Sequence, residues 1–360
     1  MPPRDRDLTP RYPEARWRST RPAVAGRPIV GVDVTVDGGG LVRTGGLAIE
    51  DLEALRVPLA GFCYRLLGSS ADTDDAVQET LIRASSRRDQ YDPSRGRLST
   101  WVHAIATNVC LDMLRSAKRR ALVVDLEQST GSGEDPGAPL PPGGWLDPMP
   151  DSGLIATRDP GEIVQERESV RLAFIAALQF LPPRQRAVLV LRDVLAYTAR
   201  ETAEILDVTV PSVNSALQRA RAFLSSRRPD PSAIGDPEDA GQRDLLRRYV
   251  TAFEAHDVEG LKAILRADAV ASMPPFGWRL AGAEPIAEAV GASEYCAGAR
   301  LVLCRMNGAW GFGQYRPGDD DVLRPFALVA VQIRGGGISE IVTFLGTQHR
   351  FREFGLPDRL

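Results

Sequence analysis

The chain has 360 residues, of which 44 are Lys or Arg and 47 are Asp or Glu, so its net charge is close to −3. This length predicts two or three domains. The absence of any apolar run of about eighteen residues excludes a membrane-spanning helix, and the N-terminus has no secretory signal pattern. Cys63, Cys110, Cys296 and Cys304 form no zinc-binding pattern, and we expect reduced, mostly buried thiols in a cytoplasmic protein without a metal or cofactor.

Changes in composition and hydrophobic periodicity divide the chain into three folded segments. Residues 1–45 are rich in Pro, Arg and Gly, and we expect a disordered tail there. Pro-rich and acidic stretches at 121–161 and 229–240 are typical of linkers. The folded segments are therefore predicted at 46–120, 162–228 and 241–360.

The first segment carries an acidic, amide-rich helical face. It consists of Asp74, Asp75, Gln78 and Glu79. We expect Leu81 and Ile82, which follow, to turn toward a core. Such a face is either simply solvated or a docking surface for a basic partner.

Residues 95–120 predict one long helix with a basic end. Trp101, Ile105 and Val109 recur at i, i+4 and i+8, and a polar stripe lies beside them. Cations stabilise a helix C-terminus by themselves, but cations beside an aromatic and polar stripe are also suited to binding single-stranded DNA. The candidate residues are Trp101, Asn108, Asp112, Arg115, Lys118 and Arg119.

Residues 198–224 predict two short helices joined by a tight turn. Ala203 permits a close helix crossing, and Asp207 tolerates the positive φ that such a turn requires. The second helix then presents polar groups toward base edges and cations toward phosphates. These residues are Ser212, Asn214, Ser215, Gln218, Arg219 and Arg221. The same pattern also occurs in helical proteins that never bind DNA.

Three motifs in this order resemble the extracytoplasmic-function group of bacterial RNA polymerase sigma factors. They are DTDDAVQET, then YDPSRGRLSTWVHAIATNVCLDMLRSAKRR, then LPPRQRAVLVLRDVLAYTARETAEILDVTVPSVNSALQRARAFL. The resemblance implies a subunit that binds core polymerase, through its β′ and β subunits, and directs recognition and opening of promoter DNA. The alternative is a stand-alone helix-turn-helix regulator.

The resemblance also assigns roles to the three surfaces. The acidic face would bind the β′ subunit, and the long helix would open and read the minus-ten element. The helix-turn-helix would read the minus-thirty-five element. Where this chain has Asn214 and Ala216 the family commonly has Lys and Arg, a departure that weakens phosphate contacts.

Residues 241–360 resemble the SnoaL-like branch of the nuclear-transport-factor-like fold, through DVEGLKAIL and the W-x-L-x-G turn. The whole chain is thus expected to be multidomain, with two all-α sigma domains, the second containing the helix-turn-helix, followed by an α+β curved-sheet cone domain. In that family the sheet encloses an apolar pocket. The candidate lining residues are Phe253, Met273, Trp278, Trp310, Phe312 and Phe344.

Two interpretations of this domain remain open. One is enzymatic and would use Glu254, His256, Asp257 or His349, although no acid–base constellation is evident. The other is regulatory: the domain packs on the sigma domains and tunes them in cis, with or without a small ligand in its pocket. Trp145, in a Trp-Leu-Asp-Pro motif of the linker, is the expected linker anchor, either on the C-terminal domain or on the second helical domain.

Overall fold

The computed structural model of the chain describes residues 48–116, 138–140, 144–155, 160–225 and 240–360. The expected tail at 1–45, Lys118, Arg119 and most of both linkers lie outside these residues. Within the described ranges, no helix is long and apolar enough to cross a membrane. Cys63, Cys110 and Cys304 are buried free thiols, and Cys296 is half-buried.

Residues 49–116 form what we term the first helical module. Its helices are α1 (Ile49–Glu53), α2 (Arg56–Leu67), α3 (Ser70–Ser86) and α4 (Leu98–Ser116). Gly68 ends α2 in the left-handed region with φ 69°, which glycine adopts without strain. Ser69 then caps α3 by accepting a hydrogen bond from the Asp72 amide.

Residues 160–225 form the second helical module. Its helices are α5 (Pro160–Val170), α6 (Leu172–Gln179), α7 (Pro183–Leu189), α8 (Ala199–Leu206) and α9 (Val210–Ser225). Thr198 and Glu201 form a capping box at the start of α8. Asp207 ends α8 with φ 50°, which confirms the turn between α8 and α9 that the sequence predicts.

The two helical modules share one hydrophobic core. Helices α2 and α4 pack against helices α6, α7 and α8, and the buried side chains of both modules form one continuous cluster. Arg186 of α7 is 4% exposed and donates hydrogen bonds to the carbonyls of Leu66, Gln179 and Leu181. Because Leu66 lies in the last turn of α2, this cation binds the negative end of a helix that belongs to the other module.

Residues 240–360 form an α+β domain, as expected. Its elements are α10 (Ala240–Glu254), α11 (Val258–Ile264), β1 (Leu265–Ser272), β2 (Arg279–Ala281), α12 (Ala283–Ala292), β3 (Arg300–Met306), β4 (Ala309–Pro317), β5 (Leu323–Arg334) and β6 (Gly337–Leu345). The strand order is β2-β1-β6-β5-β4-β3, with β1 and β6 parallel and the other neighbours antiparallel.

The two faces of this sheet have separate cores. Helices α10, α11 and α12 contribute to the core on one face. A terminal 3-10 helix, Gln348–Phe354, contributes to the core on the other, where Leu172 of α6 also packs. This second face therefore lies toward the helical modules.

Candidate polymerase and promoter surfaces and the domain junction

An open groove of about 520 Å³ runs between α3 and α4. Asp75, Gln78 and Glu79 line it from α3, so three of the four residues of the predicted acidic face lie together. Ile82 also lines the groove and is 55% exposed, so the expectation that it turns toward the core is wrong. The reason is helical spacing, because positions 75, 78, 79 and 82 form a single stripe.

Asp74, the fourth residue of that face, lies toward the C-terminal domain. Partial burial raises the pKa of its carboxyl, and the negative charge of Glu353 raises it further, while Arg350 acts in the opposite direction. Both of these partners belong to the terminal 3-10 helix. The acidic face therefore adjoins the C-terminal domain at one of its ends.

Helix α4 keeps part of the predicted DNA-reading stripe exposed. Asn108, Asp112 and Arg115 are exposed, and an ion pair of 3.1 Å joins Asp112 to Arg115. Trp101 is half-buried, with its ring centroid 5.6 Å from that of Tyr91. The polar stripe and the aromatic ring thus both lie on a helix whose other faces are packed.

One side of the N-terminal half of α4 packs against the second helical module. The Tyr197 hydroxyl lies 3.0 Å from Nδ1 of His103, which donates to the Ser99 carbonyl at 2.7 Å. Nε2 of His103 is buried without a hydrogen-bond partner. Burial lowers the pKa of His103 to about 4, because protonation would place an unpaired charge in the core.

Helix α9 presents all of its predicted DNA-contacting residues on the surface. They are Ser212, Asn214, Ser215, Gln218, Arg219 and Arg221. Val213 and Leu217 are buried against the rest of the module, as their spacing predicts. Arg221 forms two hydrogen bonds with the Asp193 carboxylate, at 2.6 and 2.9 Å. Arg219, within the described residues, donates a hydrogen bond only to the neighbouring Ser215 hydroxyl.

The tip of the β3–β4 hairpin joins three parts of the chain. Asn307 and Gly308 occupy the two-residue turn, both with positive φ, as a type I′ turn requires. The Asn307 amide donates to the Tyr64 hydroxyl and to the Val170 carbonyl, each at 2.9 Å, and accepts from the Met149 amide at 2.9 Å. One buried side chain therefore binds both helical modules and the linker.

The linker residues beside this tip form hydrogen bonds with the first helical module and with the C-terminal domain. The Tyr64 hydroxyl donates to the Asp147 carbonyl at 2.7 Å, and Arg350 donates to the Pro148 carbonyl at 2.9 Å. The Asp151 carboxylate accepts from the Gly308 amide at 2.7 Å. Burial raises the pKa of Asp151, and that hydrogen bond opposes the rise. We term this cluster the junction; its members are Tyr64, residues 147–151, Val170, Asn307, Gly308 and Arg350.

Trp145 contributes less to this segment than expected. It is half-buried, and its indole N–H donates to the Asp147 carboxylate at 3.0 Å. Leu146, Pro148, Met149 and Pro150 are buried, and a Cβ on Gly68 would overlap Leu146. The linker is thus anchored mainly by Leu146, Met149 and its backbone groups, between the first helical module and the C-terminal domain.

The six aromatic and methionine residues predicted to line one pocket do not share one face of the sheet. Phe253 and Phe312 are buried in the core beneath α10–α12, with Trp278 and Trp310 half-buried at its edge. Met273 is half-buried in the loop after β1. Phe344 lies in the opposite core, so its assignment to the pocket is wrong: it pairs with Leu328, whereas Phe312 pairs with Val329, and successive residues of a strand point to opposite faces.

The acidic residues considered for catalysis have structural contacts. Glu254 accepts from Arg300 at 2.8 Å and from the Leu301 amide at 2.9 Å. Asp257 caps α11 by accepting from the Gly260 amide at 2.9 Å.

Comparison with known proteins connects these surfaces to a family. Residues 52–120 match the family Sigma-70 region 2, and residues 171–224 match Sigma-70, region 4. The extracytoplasmic-function (ECF) RNA polymerase sigma factor SigG of Mycobacterium tuberculosis is 41% identical over 317 residues, which cover 86% of this chain and 83% of that protein. The chain belongs to the ECF sigma factors. Its partners are therefore the RNA polymerase core and promoter DNA, and the alternative of a stand-alone regulator is not favoured.

Two further comparisons extend beyond the helical modules. The sigma factor SigJ of Mycobacterium tuberculosis is 30% identical over 222 residues, 62% of this chain and 63% of SigJ. The crystal structure of the Mycobacterium tuberculosis sigma factor SigJ superposes with a TM-score of 0.55 at 23% identity, covering 86% of this chain and 100% of that one. The fold of this sigma factor, including its C-terminal α+β domain, is thus shared with a solved relative.

Sequence reasoning missed the junction of this sigma factor. Asn307-Gly308 is a hairpin signal, but that signal indicates only a turn. Tyr64 and Arg186 lie within apolar helical patterns, where a polar group often marks a buried hydrogen-bond partner. No local pattern indicates which distant segment supplies that partner.

Proposed function

We propose that this sigma factor docks on core polymerase through the groove between α3 and α4. Asp75, Gln78 and Glu79 supply hydrogen-bond acceptors and negative charge, and Ile82 supplies an apolar contact. Exposed Ile82 amid polar residues supports docking over simple solvation, since an apolar side chain in a groove gains by being covered. Asp74 is the member of the acidic face whose environment depends on the C-terminal domain.

We further propose that α4 and α9 read the two promoter elements. Asn108, Arg115 and the Trp101 ring are available on α4 for the minus-ten strand, with Lys118 and Arg119 following in the chain. On α9 the exposed polar stripe faces the minus-thirty-five element, and Arg219 is suited to a phosphate.

The C-terminal domain, in our proposal, regulates promoter use in cis by holding the two helical modules together. The observation that carries this proposal is Asn307, which bonds Tyr64 of the first module, Val170 of the second and Met149 of the linker. Two modules that share one core cannot separate along DNA until that core opens. The junction adds to the free energy of opening, and the domain therefore represses activity until the junction is released.

The same domain is proposed to act without catalysis. Glu254 and Asp257 serve an ion pair and a helix cap, which leaves the regulatory interpretation of the domain as the one its contacts support. A small ligand bound within this domain would act by shifting the packing of the sheet and, through β4, the hairpin tip. We propose that the protein acts in the cytoplasm, together with the polymerase.

Promoter-dependent transcription with purified core polymerase tests the regulatory proposal. Asn307→Gly removes the amide while keeping a residue that accepts positive φ. Asp321→Gly is the matched control, because Asp321 also has positive φ, 59°, but lies in the β4–β5 turn. We expect several-fold more transcript from Asn307→Gly and wild-type output from Asp321→Gly. Equal output from all three proteins would exclude regulation through the junction.

A further inference from the structure

We propose that Asp112 is a polymerase contact and not a reader of DNA. The inference rests on the proposed docking groove and extends it from α3 onto α4. Val109, Asp112 and Met113 of α4 line the same groove as the α3 stripe. The groove therefore has two walls, and its second wall bears a carboxylate.

Helix geometry separates Asp112 from its neighbours on the polar stripe. At about 100° per residue, Asp112 is turned about 40° from Asn108 toward the side of Val109 and Met113, whereas Arg115 is turned about 20° the other way. Neither Asn108 nor Arg115 lines the groove. The exposed stripe of α4 thus divides into a DNA-facing side and a groove-facing side.

The charges of the groove identify the chemistry of its occupant. Asp75, Glu79 and Asp112 are acidic, and Arg83, the one cation among the described residues that line the groove, is bonded to Glu79 at 2.6 Å. Asp112 has a partner in Arg115, but both side chains of that pair are more than half exposed, and such pairs contribute little. An acidic groove repels DNA phosphates and attracts a segment of core polymerase with basic and apolar side chains.

Charge reversal distinguishes the two roles. We would compare Asp112→Arg with Asp75→Arg, on the opposite wall, and with Asn108→Ala, on the same helix but outside the groove. The first measurement is affinity for core polymerase without DNA, by fluorescence anisotropy of the labelled full chain. The second is open-complex formation at saturating core, on a promoter fragment from which the wild-type holoenzyme initiates.

We expect both Arg variants to bind core at least about tenfold more weakly than wild type, and Asn108→Ala to bind it normally. At saturating core, Asp112→Arg should open the promoter as wild type does, while Asn108→Ala opens it less. If Asp75→Arg weakens core binding and Asp112→Arg does not, the inference on Asp112 is overturned and the docking groove stands. If neither weakens it, the groove assignment falls as well.

A milder variant keeps the test valid if Asp112→Arg does not fold. Asp112→Asn preserves the shape of the side chain and removes its charge. A basic partner predicts weaker core binding by Asp112→Asn and a shallower dependence of that binding on salt. Wild-type affinity with an unchanged salt dependence would overturn the inference.

Discussion

The side-chain amide of Asn307, in the C-terminal domain, donates a hydrogen bond of 2.9 Å to the hydroxyl of Tyr64, in the first helical module. Both side chains are buried, and the Tyr64 hydroxyl in turn donates a hydrogen bond to the Asp147 carbonyl of the linker. A hydrogen-bond chain thus joins three segments that are distant in sequence. In a buried setting each unpaired member of such a chain is costly, so the chain breaks as a unit.

Tyr64→Phe tests the central member of this chain of hydrogen bonds. The substitution keeps the ring and leaves the Asn307 donor and the Asp147 carbonyl without their partner, which should lower the free energy of unfolding by about 1–3 kcal/mol. Chemical denaturation measures the loss. Combining it with Asn307→Gly should cost less than the sum of the two single losses, because both remove the same bond.

Tyr315→Phe is the matched control for that cycle, because the Tyr315 hydroxyl donates to the Pro357 carbonyl within the C-terminal domain. Its effect should simply add to that of Asn307→Gly. Strict additivity of Tyr64→Phe with Asn307→Gly would contradict a coupled junction.

Arg186→Met tests the contact between the helical modules. The buried guanidinium bonds the Leu66 carbonyl across the interface, and its loss leaves that carbonyl and the Gln179 groups unsatisfied. We expect a loss of about 3 kcal/mol in unfolding free energy. Arg184→Met changes an exposed arginine two residues away and should cost less than about 0.5 kcal/mol. Similar losses for the two variants would show that Arg186 does not secure the interface.

Local signals sufficed to predict much of this fold. Helix boundaries at Thr198 and Asp207 depend on caps and turn conformations that a few adjacent residues determine. Spacing likewise placed the polar stripes of α4 and α9 on the surface. Helical spacing also explains the wrong expectation for Ile82. Its position groups it with the exposed stripe of Asp75, and not with its buried neighbour Leu81.

Long-range packing explains what the sequence left undetermined. An apolar helix face such as that of α6 or α7 indicates burial, but it does not identify the helix that covers it, so no local pattern predicts the shared core of the two modules. Phe344 was misassigned because only strand register determines which of two buried faces a residue joins. Asn307 and Tyr64 meet through tertiary contacts for which neither local sequence carries a signal.

Acidification should loosen the contact between α4 and the second helical module. The pKa of His103 is about 4 in the fold and about 6.5 in an unfolded chain, so its contribution to stability is complete above pH 6.5 and is lost as the pH falls toward 4. The full loss is about 3 kcal/mol. Unfolding free energy measured across this range should fall more steeply for wild type than for His103→Phe, which cannot titrate. Parallel curves would exclude His103 as the source.

Two arginines of α9 should respond differently to substitution. Arg219→Ala should weaken promoter binding and reduce the slope of log affinity against log salt by about 0.9, the value for one phosphate contact. Arg221→Ala should instead reproduce the effect of Asp193→Ala, because these two side chains form an ion pair with each other. Titrations of a promoter fragment at several salt concentrations measure both. Equal changes in slope for Arg219→Ala and Arg221→Ala would contradict this division.

The separation of the two helical modules tests the central claim most directly. Fluorophores at the exposed positions Arg87 and Ser225, introduced as unnatural amino acids, report the distance between the modules in single molecules. The free protein should show one short distance, and the promoter complex with core polymerase should show a distance longer by at least one helical turn of DNA, about 34 Å. Asn307→Gly should increase the population of the longer distance before DNA is added. An unchanged distance in the promoter complex would contradict the account.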